Sequence, residues 1–214
     1  MNKNEKFVIS INREMGSGGR TIGEKLAEKL GVQFYDKALI NALVDKYHLT
    51  VEEIEKLKGQ NNSWWSNFAR VIGIGNGLAK PVFYNTSMGA EPELLTTEEM
   101  FRTEKEILKG IAQEESCVIT GRTGFYVFRD HPNHLNILIQ APMEHRIQRV
   151  MRKRQISREE AEKAIRKVDK MRENYVNKYT GTSRYDTRNY DLVISSEGKT
   201  EEEIADLIIS YIGE

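Results

Sequence analysis

Apolar residues follow two alternating rhythms along this chain, short continuous runs and stripes of helical spacing. Residues 7–11, Phe-Val-Ile-Ser-Ile, form a β-branched run of strand length. Ile22, Leu26, Ala27 and Leu30 then share one helical face, and Gly31 stands where a helix end calls for a left-handed residue. Residues 37–47 read as a helix through Ala38, Leu39, Ala42 and Leu43. Four capping boxes announce further helices: Thr50-x-x-Glu53, Thr96-x-x-Glu99, Ser157-x-x-Glu160 and Thr200-x-x-Glu203. The second opens a helix reaching about residue 114 with Met100, Phe101, Ile107, Leu108 and Ile111 as its stripe, and the third a long helix toward Tyr179. Runs at 116–120, 135–140 and 192–195 read as strands, a short helix is expected at 125–128, and Pro142 is placed at the first position of a helix to about Arg154. Strands alternating with helices predict a parallel α/β sheet. Residues 59–93 break the pattern, with both tryptophans, several glycines and little periodicity; such a stretch is functional, mobile or a small aromatic core of its own.

Between the first run and the first helix lies Gly16-Ser17-Gly18-Gly19-Arg20-Thr21. Glycines there let the backbone approach a ligand, and a helix N-terminus offers unpaired N–H groups and a positive dipole end, so the natural guest is a phosphate. The Walker pattern is met only in its second half, by Gly19-Arg20-Thr21, with arginine for lysine and a hydroxyl for Mg²⁺. The dinucleotide fingerprint is met at Gly16 and Gly18 but not at Thr21, and Asp36 sits where a ribose-binding acid belongs. Pattern alone leaves both nucleotide readings open, beside a glycine turn without a ligand.

The chain beyond these residues closely resembles the cytidylate-kinase-like family of P-loop proteins. The resemblance rests on Ile9-Ser-Ile-Asn-Arg-Glu-Met-Gly-Ser-Gly-Gly-Arg-Thr-Ile-Gly23, on Leu26 to Lys37, on Cys117-Val-Ile-Thr-Gly121-Arg122, and on Ile137-Leu-Ile-Gln-Ala-Pro-Met-Glu-His-Arg146-Ile147. It implies a P-loop nucleoside-monophosphate-kinase fold: a five-stranded parallel sheet flanked by helices, in one domain, with an acceptor-binding insertion at 59–93 and a lid with its following helix at about 146–185. It also implies ATP- and Mg²⁺-dependent phosphoryl transfer to a small acceptor, a nucleoside monophosphate such as CMP or dCMP. Gly16, Ser17, Gly18, Gly19 and Arg20 are then expected around the donor phosphates, Thr21 on the metal, and Asp36, Arg122, Asp169 and Arg172 at the acceptor. Arg154 and Arg158 are lid candidates for the transferred group. Two departures bear on the acceptor. The family's Asp-Gly-Arg-Asp reads Thr120-Gly-Arg-Thr123 here, and its Leu-Asp-Ser-Gly turn reads Tyr35-Asp36-Lys37, so the framework for a phosphorylated acceptor remains while the acids that read cytosine do not.

Composition narrows the classes. Lysine plus arginine equals aspartate plus glutamate at 32 each, so no global field favours nucleic acid or an anionic membrane. The one cysteine, Cys117, lies in an apolar run and reads as a buried strand residue, and no intrachain disulfide is possible. Neither a signal peptide nor a membrane span is visible, and a cytoplasmic location is the expectation. His48, His131, His134 and His145 lack metal-ligand spacing and read as surface or structural.

Phosphoryl transfer needs arginines, not a general base. Arg146, Arg149 and Arg152 fit a solvated helix face as readily as a site. Arg172 is different, because at about 100° per residue it shares a stripe with Ala161, Ile165, Val168, Val176 and Tyr179, with Arg158 on the same line. A charge on a core-facing stripe must be paired or must face a site, and Asp169 stands three residues before it. A regulatory protein that binds nucleotide without turnover and a dinucleotide-dependent oxidoreductase are the alternatives.

Overall fold

The computed structural model describes residues 1–36, 40, 50, 52, 54, 56 and 98–213. The expectations for residues 37–47, for the helix after Thr50 and for the 59–93 insertion lie largely or wholly outside these residues. The chain divides into two compact units, Met1–Asp36 with Ser116–Glu214, and Lys37–Glu115.

The first unit holds a five-stranded, all-parallel sheet. Its strands are β1 (Val8–Arg13), β2 (Gln33–Asp36), β3 (Cys117–Thr120), β4 (His134–Gln140) and β5 (Leu192–Ser195), in the spatial order β2-β3-β1-β4-β5. The dinucleotide fold puts its second strand beside its first; here β3 stands between them, so the dinucleotide alternative does not fit the sheet. Helix α1 (Gly19–Leu30) follows β1 and ends at Gly31 with φ +67°, the left-handed stop its position in the sequence predicts. In the second unit, α2 (Glu98–Glu114) buries Phe101, Ile107, Leu108 and Ile111, as its stripe requires.

A turn-long helix α3 (Gly124–Val127) follows β3. Helix α4 (Met143–Arg154) starts one residue later than expected, with Pro142 as its N-cap. Helix α5 (Arg158–Thr180) carries the complete capping box of Ser157 and Glu160, and α6 (Glu201–Ile212) that of Thr200 and Glu203. The main core joins Ile9 and Ile11 of β1 to Ile22 and Leu26 of α1, Ile137 and Ile139 of β4, and Ile204 and Ile208 of α6. A smaller cluster packs Met15 against Ile147 and Val150 of α4 and Ala161 and Ile165 of α5. That cluster seats both helices directly on the glycine loop. Cys117 is buried in β3, and no described helix is long and apolar enough to cross a membrane.

Strand connections run to one side of β1 and then to the other, and crevices at such switch points, beyond the carboxyl ends of the strands, are where open α/β sheets bind ligands. The residues singled out from the sequence lie at that edge: Asp36 ends β2, Thr120 ends β3, and the glycine loop follows Arg13 at the end of β1.

Candidate active site

The loop between β1 and α1 reverses through two left-handed glycines, Gly16 and Gly18, each with φ +85°. A side chain at Gly16 would also strike helix α4, since a Cβ there would lie 2.8 Å from the carbonyl oxygen of Arg146. Gly18 is the N-cap, and the first helical hydrogen bond runs from the Ile22 amide to its carbonyl at 3.0 Å. The amides of the turn before Ile22 therefore have no partner within the helix, which is the arrangement an anion site at a helix start requires. Ser17 closes the loop internally, its hydroxyl donating to the Glu14 carbonyl at 3.0 Å.

Side chains brace the loop from behind. The Met15 N–H donates to Asp169 Oδ1 at 2.9 Å, and its carbonyl accepts from Arg146 Nη1 at 3.4 Å. Arg146 Nη1 also donates to Asp169 Oδ2, which closes a hydrogen-bonded ring through both backbone groups of Met15. Glu14 Oε2 accepts from the Ala141 amide at 3.0 Å and lies 3.7 Å from Arg146 Nε. A buried charge is tolerated when it is paired and hydrogen-bonded, and here both backbone groups of Met15 meet part of that need.

Asp169 thus faces Met15, Arg146 and, at 3.8 Å, Arg184 Nη1, rather than serving as the brace for Arg172 that the three-residue spacing suggests. Arg172 is half-buried on the predicted stripe, and its Nη1 donates to the carbonyl of Arg13 at 3.2 Å. Arg184 Nη2 donates to the same carbonyl. Its side chain is the largest fully buried one described, with its Nε lacking a hydrogen-bond partner among the described residues.

Arg20, expected on the donor phosphates, is engaged with two carboxylates. It is the second residue of α1, and its side chain meets Asp36 Oδ2 at 2.7 Å and Glu24 at 3.2 Å. Two expected site residues, Arg20 and the buried Asp36, are thereby one ion pair. Thr21 lies in the same first turn. Arg122 is buried after β3 within a run of left-handed residues, where Gly121, Arg122 and Thr123 have φ +82°, +54° and +53°. Such a backbone costs about 1–3 kcal/mol per non-glycine residue and collects at functional sites.

The lid candidates do not reach the loop in this structure. Arg154 is exposed. Arg158, expected on the α5 stripe, is exposed too and forms a bidentate pair with Glu144 at 2.6 and 2.7 Å, which holds the Glu144 carboxyl down at about 2.

Arg146 and Arg149 are corrections in the other direction. Arg146 is buried, and Arg149 is largely covered: it pairs with Glu201, and its guanidinium carbon lies 3.4 Å from where a Cβ at Gly18 would be. The sequence carried a signal for Arg146, which shares a helical face with Met143, Ile147 and Val150. Arg184 follows α5 in a segment without periodicity, and no pattern marks it.

Residues 8–198 match the cytidylate kinase-like family. The chain is 28% identical over 109 residues to a cytidylate kinase of Saccharolobus islandicus, covering 51% of this chain and 57% of that one. It is 25% identical over 210 residues to an S-adenosylmethionine-dependent nucleotide dehydratase of Lacinutrix mariniflava, covering 96% of this chain and 36% of that protein. The chain therefore spans little more than a third of the one relative and just over half of the other. A solved structure from Eubacterium ventriosum superposes with a TM-score of 0.69 at 25% identity, over 97% of this chain and 98% of that one. With its family pattern matched along nearly its whole length, on a parallel sheet with a glycine phosphate loop, the chain belongs to the cytidylate kinase-like family.

Proposed function

We propose that the protein transfers the γ-phosphoryl group of MgATP to a small phosphorylated acceptor, a nucleoside monophosphate of the CMP or dCMP kind. The observation that carries this reading is the loop itself: amides at the start of α1 with no partner within the helix, two left-handed glycines, and arginines gathered at the carboxyl edge of the sheet. Both named relatives are proteins of nucleotide chemistry, which supports a nucleotide as the substrate class.

An oxygen of the acceptor phosphate attacks the γ-phosphorus, and the bond to the β,γ-bridging oxygen breaks, releasing ADP. The attacking group is already an anion, so the protein's work is alignment and neutralisation of charge. Gly16, Ser17, Gly18 and Gly19 hold the donor phosphates. Arg122, Arg172 and the Arg20–Asp36 pair face the acceptor, and Asp169 fixes the loop. Arg154 and Arg158 belong to a lid that closes over the transferring group, for which Arg158 must leave Glu144.

Magnesium fits the residues present. It is usually held by few protein groups together with the nucleotide's own phosphates, and the Thr21 hydroxyl in the first turn of α1 suits that part. No cluster of three or more metal-binding side chains exists among the described residues, so the ion is expected to arrive with the triphosphate. When bound it neutralises charge on the phosphates.

Calorimetric titration with ATP, with and without Mg²⁺, tests the donor assignment. Thr21→Ala is expected to remove most of the difference Mg²⁺ makes to ATP affinity in the parent. An unchanged Mg²⁺ effect in the variant removes Thr21 from the metal. A parent that binds no ATP overturns the donor site.

A further inference from the structure

The Walker pattern puts its lysine directly after the last loop glycine. Aligned by sequence alone that place falls on Arg20, after Gly19; counted from the N-cap Gly18, where the loop ends in the structure, it falls on Gly19, the first residue of the helix, which has no side chain to offer. Arg20 is one step further round the helix and is neutralised by Asp36 and Glu24. The place of the phosphate-binding cation is therefore filled from elsewhere or left without one.

The structure shows what occupies that place. A Cβ built on Gly19 would lie 2.5 Å from Arg13 Cβ and 3.0 Å from Arg13 Cγ, too close for any side chain. The Arg13 side chain thus runs through the space that a lysine stem would use. At its far end the guanidinium lies on Gly121, whose hypothetical Cβ would overlap Arg13 Nη1 and sit 3.2 Å from Cζ. Two glycines, one on each side, leave a channel for this one arginine. Its stem passes Gly19 at the start of α1, and its head lies on Gly121, in the strained turn after β3. Its root is fixed, because the Arg13 carbonyl accepts from both Arg172 and the buried Arg184.

We infer that Arg13, supplied from the end of β1, is the cation that meets the donor's β- and γ-phosphates in place of a Walker lysine. The assignment rests on the phosphate-loop reading above. It explains why position 19 is glycine although its φ is not left-handed: the constraint is the volume of Arg13. It also gives Arg172 and Arg184 a shared task as positioning residues, which aim Arg13 by holding its peptide. A guanidinium suits the place between two phosphate groups, since it donates along two edges.

The test is a transplant of charge, read by calorimetry with MgATP and with inorganic tripolyphosphate, and with melting temperature measured on the same samples. Arg13→Met is expected to weaken both probes by about tenfold or more, the scale of a charge-assisted hydrogen bond. Arg13→Gly vacates the channel, and adding Gly19→Lys puts a lysine stem into it. The double variant is expected to regain most of the affinity that Arg13→Gly loses, a recovery that a purely structural role for Arg13 does not produce. If Arg13→Met does not fold, the comparison of Arg13→Gly with the double variant decides alone. Parental affinity in Arg13→Met, or a loss that Gly19→Lys leaves unrelieved, overturns the assignment while leaving the phosphate loop in place. A parent that binds neither probe overturns the phosphate loop and this assignment together.

Discussion

Thr123 holds a β-branched side chain at φ +53°, with its hydroxyl donating to the Arg122 carbonyl at 2.6 Å. Asparagine tolerates that region far better, so Thr123→Asn is expected to stabilise the fold by about 0.5–1 kcal/mol. If the strained turn serves acceptor binding, the same variant changes the ranking of nucleoside monophosphates in a steady-state survey. A more stable protein with an unchanged ranking removes Thr123 from the acceptor site. The sequence marked this residue only as the place where a family acid is missing; its backbone strain has no signature in residue type. The same holds for Asp169. Spacing on a helix paired it with Arg172, but the loop's Met15 amide and Arg146 of α4 compete for its oxygens, and contacts made across the fold prevail.

Elements were the more legible scale. Each strand run, the Gly31 stop and the boxes at Ser157 and Thr200 appear where hydrophobic spacing and capping chemistry put them, because both are local rules. What spacing could not express is that α4 and α5 close onto the loop through Met15, turning Arg146 inward while Arg158 stays at the surface. The brace between these elements can be measured. Asp169→Asn keeps an acceptor for the Met15 amide but leaves the buried Arg146 with only the more distant Glu14 as counter-charge, a change expected to cost about 3 kcal/mol. Arg146→Met in the Asp169→Asn background is expected to recover part of that loss, since the two side chains act as a pair. Strict additivity of the two single substitutions in urea denaturation contradicts the brace.

At the scale of the whole molecule, the sheet carries a partly buried histidine that the proposed chemistry does not use. His134 packs against Phe128 with ring centroids 5.6 Å apart, and its Nε2 lies 2.7 Å from the Ser10 hydroxyl. Burial is the main cause that lowers its pKa from 6.5 to about 4, with His131 pushing the same way and Asp191 opposing. Below pH 6.5 the unfolded chain therefore takes a proton that the folded chain refuses until about pH 4. The contribution of His134 is complete above the unfolded value and is lost as the pH falls through that window, by up to about 3 kcal/mol. His134→Asn is expected to flatten the pH dependence of unfolding free energy across this range, and an unchanged slope contradicts a neutral buried imidazole. None of this touches the loop, where we propose that the glycines and arginines move a phosphoryl group between nucleotides. ³¹P NMR of the protein with MgATP and CMP tests that most directly. The expected result is ADP and CDP appearing in equal amounts, with little ADP formed when the monophosphate is omitted. ADP that appears at the same rate with and without any nucleoside monophosphate, or not at all in the presence of every one, contradicts it.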